Sequence, residues 1–160
     1  MKKLVSLAVV LAVLVLTATV VIPAKIFHDN YNYPVTWTVF VPCANDGLGE
    51  TIVLTGRMHV NDFLSISNDG SWNLKMHIQP MDLQGLGQTT GDKYNGTGVT
   101  QSKENMSGKG LPYSWTYVNN YRMIGQGPGN NFTVHETIHF TINANGELTA
   151  DVVNVKTDCK

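Results

Sequence analysis

The stretch Thr51–Gln79, TIVLTGRMHVNDFLSISNDGSWNLKMHIQ, alternates with period two over almost its whole length. Ile52, Leu54, Gly56, Met58, Val60, Leu64 and Ile66 share one face, interrupted only by Asp62, while Val53, Thr55, Arg57, His59 and Asn61 share the other. Beyond Asn68-Asp69-Gly70, Trp72, Leu74, Met76 and Ile78 alternate with Asn73, Lys75, His77 and Gln79. Period two is strand periodicity. A three-residue loop ending in glycine suits a type I turn followed by a left-handed residue. That loop sets Ile66 opposite Trp72, Leu64 opposite Leu74 and Val60 opposite Ile78, all on the apolar face. Turn chemistry and hydrophobic pattern therefore demand the same register.

The C-terminal third repeats the arrangement. Phe132, Val134, Ile138, Phe140 and Ile142 form an apolar row, and Thr133, His135, Thr137, His139 and Thr141 a polar one. The loop Ala144-Asn145-Gly146 predicts Ile142 against Leu148, Phe140 against Ala150 and Ile138 against Val152, with Asp151 across from His139 and Asn154 beside Glu136. A two-residue Asn-Gly turn would set Phe140 against Asp151 and is rejected on that ground. Between the hairpins lie a Gly-interrupted stretch over residues 83–100 and an aromatic strand over residues 114–124, and a further strand over residues 35–41 precedes them. The polar segment Gln101–Gly110 reads as a mobile loop. No segment holds a helical period, so the fold class is all-β: a single antiparallel barrel of lipocalin or cyclase size, or a sandwich, with seven or eight strands.

Two lysines, Lys2 and Lys3, precede an apolar run of 19 residues from Leu4 to Ile22. This is the pattern of a secretion signal, and its length also suits a bilayer-spanning anchor. Cleavage after Ala24 would have a small residue at the last position but Ile22 two places earlier. Both readings put the domain over residues 25–160 outside the cytoplasmic membrane, because the lysines stay inside. That domain carries nine basic and twelve acidic residues, which argues against a nucleic-acid partner. Its two cysteines, Cys43 and Cys159, are expected to form one disulfide in an oxidising compartment. In a simple meander both follow their strands, so they meet only if the strand count is odd. Merging the segments around Pro80 into one bent strand gives seven.

The run Arg122-Met123-Ile124-Gly125-Gln126-Gly127-Pro128-Gly129-Asn130-Asn131, with Val134-His135-Glu136-Thr137 and Asn143-Ala144-Asn145-Gly146-Glu147, resembles a family of small secreted bacterial β-rich proteins. The resemblance extends over most of the domain and implies a bacterial, extracytoplasmic protein, with no activity attached.

His135-Glu136-Thr137-Ile138-His139 matches the zinc-peptidase pattern HExxH, which works only on a helix, where histidines four apart share a face. On a strand they stand about 13 Å apart, too far to share one zinc, and Glu136 points the other way. The sequence therefore predicts no metal and no cofactor. Arg57, His59, His77, Arg122, His135 and His139, joined by Asp151, form a polar-face set. They would line a polar cavity if that face were interior, and they are ordinary solvated residues if it is not. On the apolar face, Glu136 and Asn119 are polar interruptions beside Tyr117 and Tyr121, and Asn154 stands across from Glu136. These five residues are the ligand-binding candidates, with Glu136 the one catalytic candidate. Asp62 is expected to turn outward at a bulge. The leading expectation is a non-enzymatic module that holds a small ligand or an extracellular partner. An isomerase- or cyclase-type enzyme using Glu136, or a structural envelope protein, are the alternatives. Membrane contact is expected only through the N-terminal segment if it stays uncleaved.

Overall fold

A computed structural model describes residues 24–127 and 129–160. The apolar run, and with it the choice between signal and anchor, lies outside the described residues. No helix among the described residues is long and apolar enough to cross a membrane. The chain forms strands β1 (Lys25–Val41), β2 (Glu50–Ile66), β3 (Trp72–Gly87), β4 (Lys93–Met106), β5 (Tyr113–Gly125), β6 (Phe132–Ile142) and β7 (Leu148–Cys159). They make one seven-stranded sheet in the order β1 to β7, each strand antiparallel to the next. The two layers of a sandwich are absent from the described residues. No ladder joins β1 to β7 there either, so the sheet is not closed.

Seven is the count that the disulfide requires, and Pro80 lies inside β3 as the merged reading has it. Pro80 pairs with Met58 on one side, and on the other the β3–β4 ladder is interrupted between Ile78 and Gln84. A residue without an N–H is tolerated where no donor is needed. Asp82 adopts a φ of 54° within this irregularity. The bulge changes which residues of β3 face inward, from Trp72, Leu74, Met76 and Ile78 before it to Leu83 and Gly85 after it.

The β2–β3 register is the one read from the sequence: Ile66 pairs with Trp72, Leu64 with Leu74 and Val60 with Ile78. Gly70, at φ 80°, closes the turn. The β6–β7 register differs from the sequence reading. Asn143 donates its N–H to the Glu147 carbonyl at 2.9 Å, so the three-residue loop is present, and Ile142 pairs with Leu148. Thr149 then bulges, its hydroxyl donating to the Thr141 carbonyl at 3.3 Å. Thr141 consequently pairs with Ala150, Phe140 with Asp151, His139 with Val152, Ile138 with Val153 and Glu136 with Val155. The pairing rejected from turn length arises instead from a bulge.

Two further segments depart from the sequence reading. Gln101–Met106 belongs to β4, laddered to β3 and β5 on both sides, and the turn begins only at Ser107. β1 starts at Lys25, ten residues before Val35, because Phe27, Tyr31 and Tyr33 continue the period of Val35 and Trp37.

Residues paired across a ladder point to the same side of the sheet. Val41, Ile52, Leu54, Leu83, Tyr94, Met123 and Phe132 come from six different strands, share one side and pack in one cluster with Ala44. That requires the sheet to curl around them. The core fills the end where Cys43 bonds Cys159, their Cα atoms 5.8 Å apart. Toward the other end the inner face opens: Phe27 on β1 is 53% exposed and Val153 on β7 is 67% exposed.

Gly98 sits on the inner side of β4 at φ 137°, and a Cβ there would collide with the Asn120 carbonyl of β5. Gly98→Ala combines backbone strain with a clash against main chain. It is expected to cost about 2 kcal/mol or more, read as a lower urea midpoint with an unchanged slope.

Candidate functional site

Tyr117, Asn119 and Tyr121 lie on the inner side of β5, and Glu136 on the inner side of β6 directly opposite Asn119. Four of the five ligand-binding candidates therefore come together. Asn154 does not: the Thr149 bulge turns it to the outer side, opposite Thr137, and places Val155 across from Glu136. The same shift carries Asp151 to the inner side beside Phe140, away from His139.

Tyr117, Asn119 and Tyr121 line a cavity of about 240 Å³ whose remaining walls include Trp37, Met58, Thr100 and Val134. β1 and β6 face each other across it. Thr100 donates its hydroxyl to Asn119 Oδ1 at 3.0 Å, orienting the amide. Tyr121 donates to Met123 Sδ at 2.7 Å, and burial pushes its hydroxyl well above the ordinary tyrosine range. Tyr117 is also raised, by burial first and by the Glu136 carboxylate second, against a lowering contact with Thr100. At neutral pH both hydroxyls stay protonated and serve as hydrogen-bond donors. Trp115 packs against Tyr117 and Phe140, with ring centroids 5.7 and 5.5 Å away, and carries an aromatic floor toward the open end. Asp62 stays on the inner side, accepting from the Tyr31 hydroxyl at 3.3 Å. The irregularity of the β2–β3 ladder falls between Thr55 and Arg57, where β3 supplies the extra residue, and Asp62 keeps a regular pairing with Met76, so nothing turns it outward.

The remaining polar-face residues, Arg57, His59, His77, Arg122, His135 and His139, all project from the outer side, so they line no interior cavity. Three of the histidines have near polar neighbours. His59 Nδ1 lies 2.9 Å from Asn32 Oδ1, His139 Nδ1 2.8 Å from the Thr116 hydroxyl, and His135 Nδ1 contacts Asn120 Oδ1. His135 and His139 share this outer side of β6 while Glu136 points inward, so the HExxH residues do not converge. Among the described residues no group of His, Cys, Asp and Glu is placed to hold a metal ion.

One carboxylate escaped the sequence reading. Glu50 is 1% exposed. Its Oε1 accepts the N–H groups of Thr89 and Thr90 at 2.9 and 2.6 Å, and its Oε2 the hydroxyls of Thr90 and Tyr94 at 3.0 and 3.2 Å. Burial raises its pKa, but the four hydrogen bonds together hold it below the ordinary glutamate range. Gly87 leaves room for it, since a Cβ there would overlap the carboxylate. Glu50 shares the parity of Ile52 and Leu54, a signal that carries the core face one step further back along the chain. Every acceptor site here is used locally, so Glu50 latches the β3–β4 turn over the core. Comparison with known proteins finds no matching family model, no matching curated protein and no matching solved structure.

Proposed function

We propose that the chain is an extracytoplasmic binding module that holds a small, flat, weakly polar ligand in the inner cavity. The observation that carries this reading is the cavity itself, walled by Trp37, Tyr117, Tyr121 and Val134 with the Asn119 amide inside it. Concave apolar sites with a few placed polar groups are the usual form of ligand sites. At about 240 Å³ the cavity is smaller than the roughly 300–1,000 Å³ of drug-sized sites, which suits a ligand of one or two rings. The Asn119 amide and the tyrosine hydroxyls would supply its hydrogen bonds. In this proposal the curled sheet acts as a barrel of lipocalin type, tied at the disulfide end and entered along the seam between β1 and β7. The disulfide favours secretion, since such bonds persist in oxidising compartments. The resemblance to small secreted bacterial proteins agrees with it.

Native mass spectrometry of the protein made in an oxidising compartment tests the reading. A retained mass beyond the two-hydrogen loss of the disulfide is expected. Asn119→Ala should shed it by weakening binding about tenfold, the equivalent of roughly 1.4 kcal/mol. A clean apo mass, together with tryptophan fluorescence unmoved by a panel of single-ring phenols and amides, would remove the reading. A second reading, a small-barrel isomerase or cyclase, draws on Glu136 standing opposite Asn119 and near Tyr117. Glu136→Gln should abolish turnover under it, and alter only affinity or stability under the first.

A further inference from the structure

The near-neutral charge of the domain conceals a division between the two sides of the sheet. Among the described strand residues, the acidic side chains Asp29, Glu50, Asp62, Glu104, Glu136 and Asp151 share the inner side. The outer side carries Arg57, Lys75, Lys93, Lys103, Arg122 and Lys156, and only two acids, Asp82 and Asp158. Both of those acids are already paired, Asp82 with Arg57 at 2.7 Å and Asp158 with Lys156 at 3.7 Å. Lys75, Lys93, Lys103 and Arg122 form no ion pair among the described residues.

Two of these free cations face each other. Lys75 and Lys103 are direct partners in the β3–β4 ladder, an arrangement that costs stability because like charges oppose across a strand pair. They occupy one rung with Phe63 and Thr116, and the next rung holds Asn61, His77, Gln101 and Val118. These two rungs line an outer trough of about 550 Å³ with no acidic residue in its walls. We propose that this trough binds an acidic polysaccharide. The two ammonium groups meet successive carboxylates or sulfates, the amides of Asn61 and Gln101 meet ring hydroxyls, and the Phe63 ring carries the C–H side of a sugar. Four strands at about 4.8 Å spacing span roughly 14 Å, the reach of a short oligosaccharide rather than of a single ion. The facing ammonium pair and the amides of Asn61 and Gln101, with Phe63 and Val118 as the apolar side chains beside them, suit an acidic glycan, whose charged groups and C–H faces alternate. This site lies on the opposite side of the sheet from the cavity, and its test is independent of ligand binding there.

The test is isothermal titration of the whole protein with polygalacturonate at 50 mM NaCl, with neutral dextran as the comparison. Binding to polygalacturonate alone is expected, weakening as salt rises to 300 mM. The double variant Lys75→Gln/Lys103→Gln should bind at least tenfold more weakly while its thermal midpoint is unchanged or higher, because the like-charge opposition is gone. Lys25→Gln, on the inner side, should bind as the parent does. No binding to polygalacturonate, or undiminished binding by the double variant, overturns the proposal. So does a variant-sensitive affinity for phosphatidylglycerol vesicles without affinity for the glycan, which would make this a lipid-binding face.

Discussion

Replacing Cys43 and Cys159 with serine is expected to remove about 4–5 kcal/mol of folding stability. The bond spans 116 residues, and for a loop of that order chain entropy alone gives roughly 4.7 kcal/mol. The sheet has little else to hold its two edges together. β1 and β7 share no ladder among the described residues, and the inner side of β7 offers Val153 and Val155 at 67% and 55% exposure, so few apolar contacts secure it. A domain of ordinary stability has about 5–15 kcal/mol in total, so the loss takes a large share of it. Reduction should also act locally first. β7 loses its tether and exchanges amide protons ahead of β2 and β3, and the inner cavity widens because β1 and β6 form its opposite walls. Urea titrations with and without reductant, followed by hydrogen exchange, check both statements. An unchanged midpoint on reduction would mean that the core cluster alone closes that end of the sheet.

The β2–β3 hairpin was legible because two independent constraints agreed, and a one-residue slip would have turned Ile52, Leu54, Met58 and Val60 to solvent. β7 offered no such constraint. Ala150 and Val152 on one side and Val153 and Val155 on the other make both registers apolar, so the pattern could not detect the bulge at Thr149. The error passed directly into the candidate site, adding Asn154 to it and placing Asp151 beside His139. Tyr117, Asn119, Tyr121 and Glu136 survived because their mutual placement depends on β5–β6 and not on β7. The charge division was present in the same alternation, since each charged strand residue can be assigned a side by parity. A net charge of −3 for the domain averages over both sides and hides it. Gly87 and Gly98 resisted reading for another reason: what fills the space beside them comes from strands remote in sequence.

Glu50→Gln is expected to cost about 3 kcal/mol at neutral pH, although the substitution barely changes volume. Hydrogen bonds to a charged group contribute about 1.5–3 kcal/mol each, and this carboxylate accepts four. Glutamine keeps one acceptor oxygen and sets an NH₂ donor against N–H and O–H donors, leaving at least one buried donor unpartnered. Tyr94→Phe is the contrasting case. It removes one contact from a tyrosine whose pKa burial, and then the Glu50 hydrogen bond, push up to about 12, and it should cost only about 1 kcal/mol. The pH dependence separates charge from shape. Because the folded protein holds the Glu50 pKa below its unfolded value, the unfolded chain takes up a proton there first as pH falls. The contribution is thus fully present above the unfolded value of about 4.3 and is lost as pH drops through the lower folded value. Parent and Glu50→Gln should therefore differ most at pH 7 and converge as pH falls below the lowered folded value, as chemical denaturation at several pH values would read. A gap that stays constant across that range would assign the cost to misplaced donors rather than to the lost charge. In either case Thr89 and Thr90 should be the first amides to exchange, because the turn that Glu50 holds closes the core between β3 and β4.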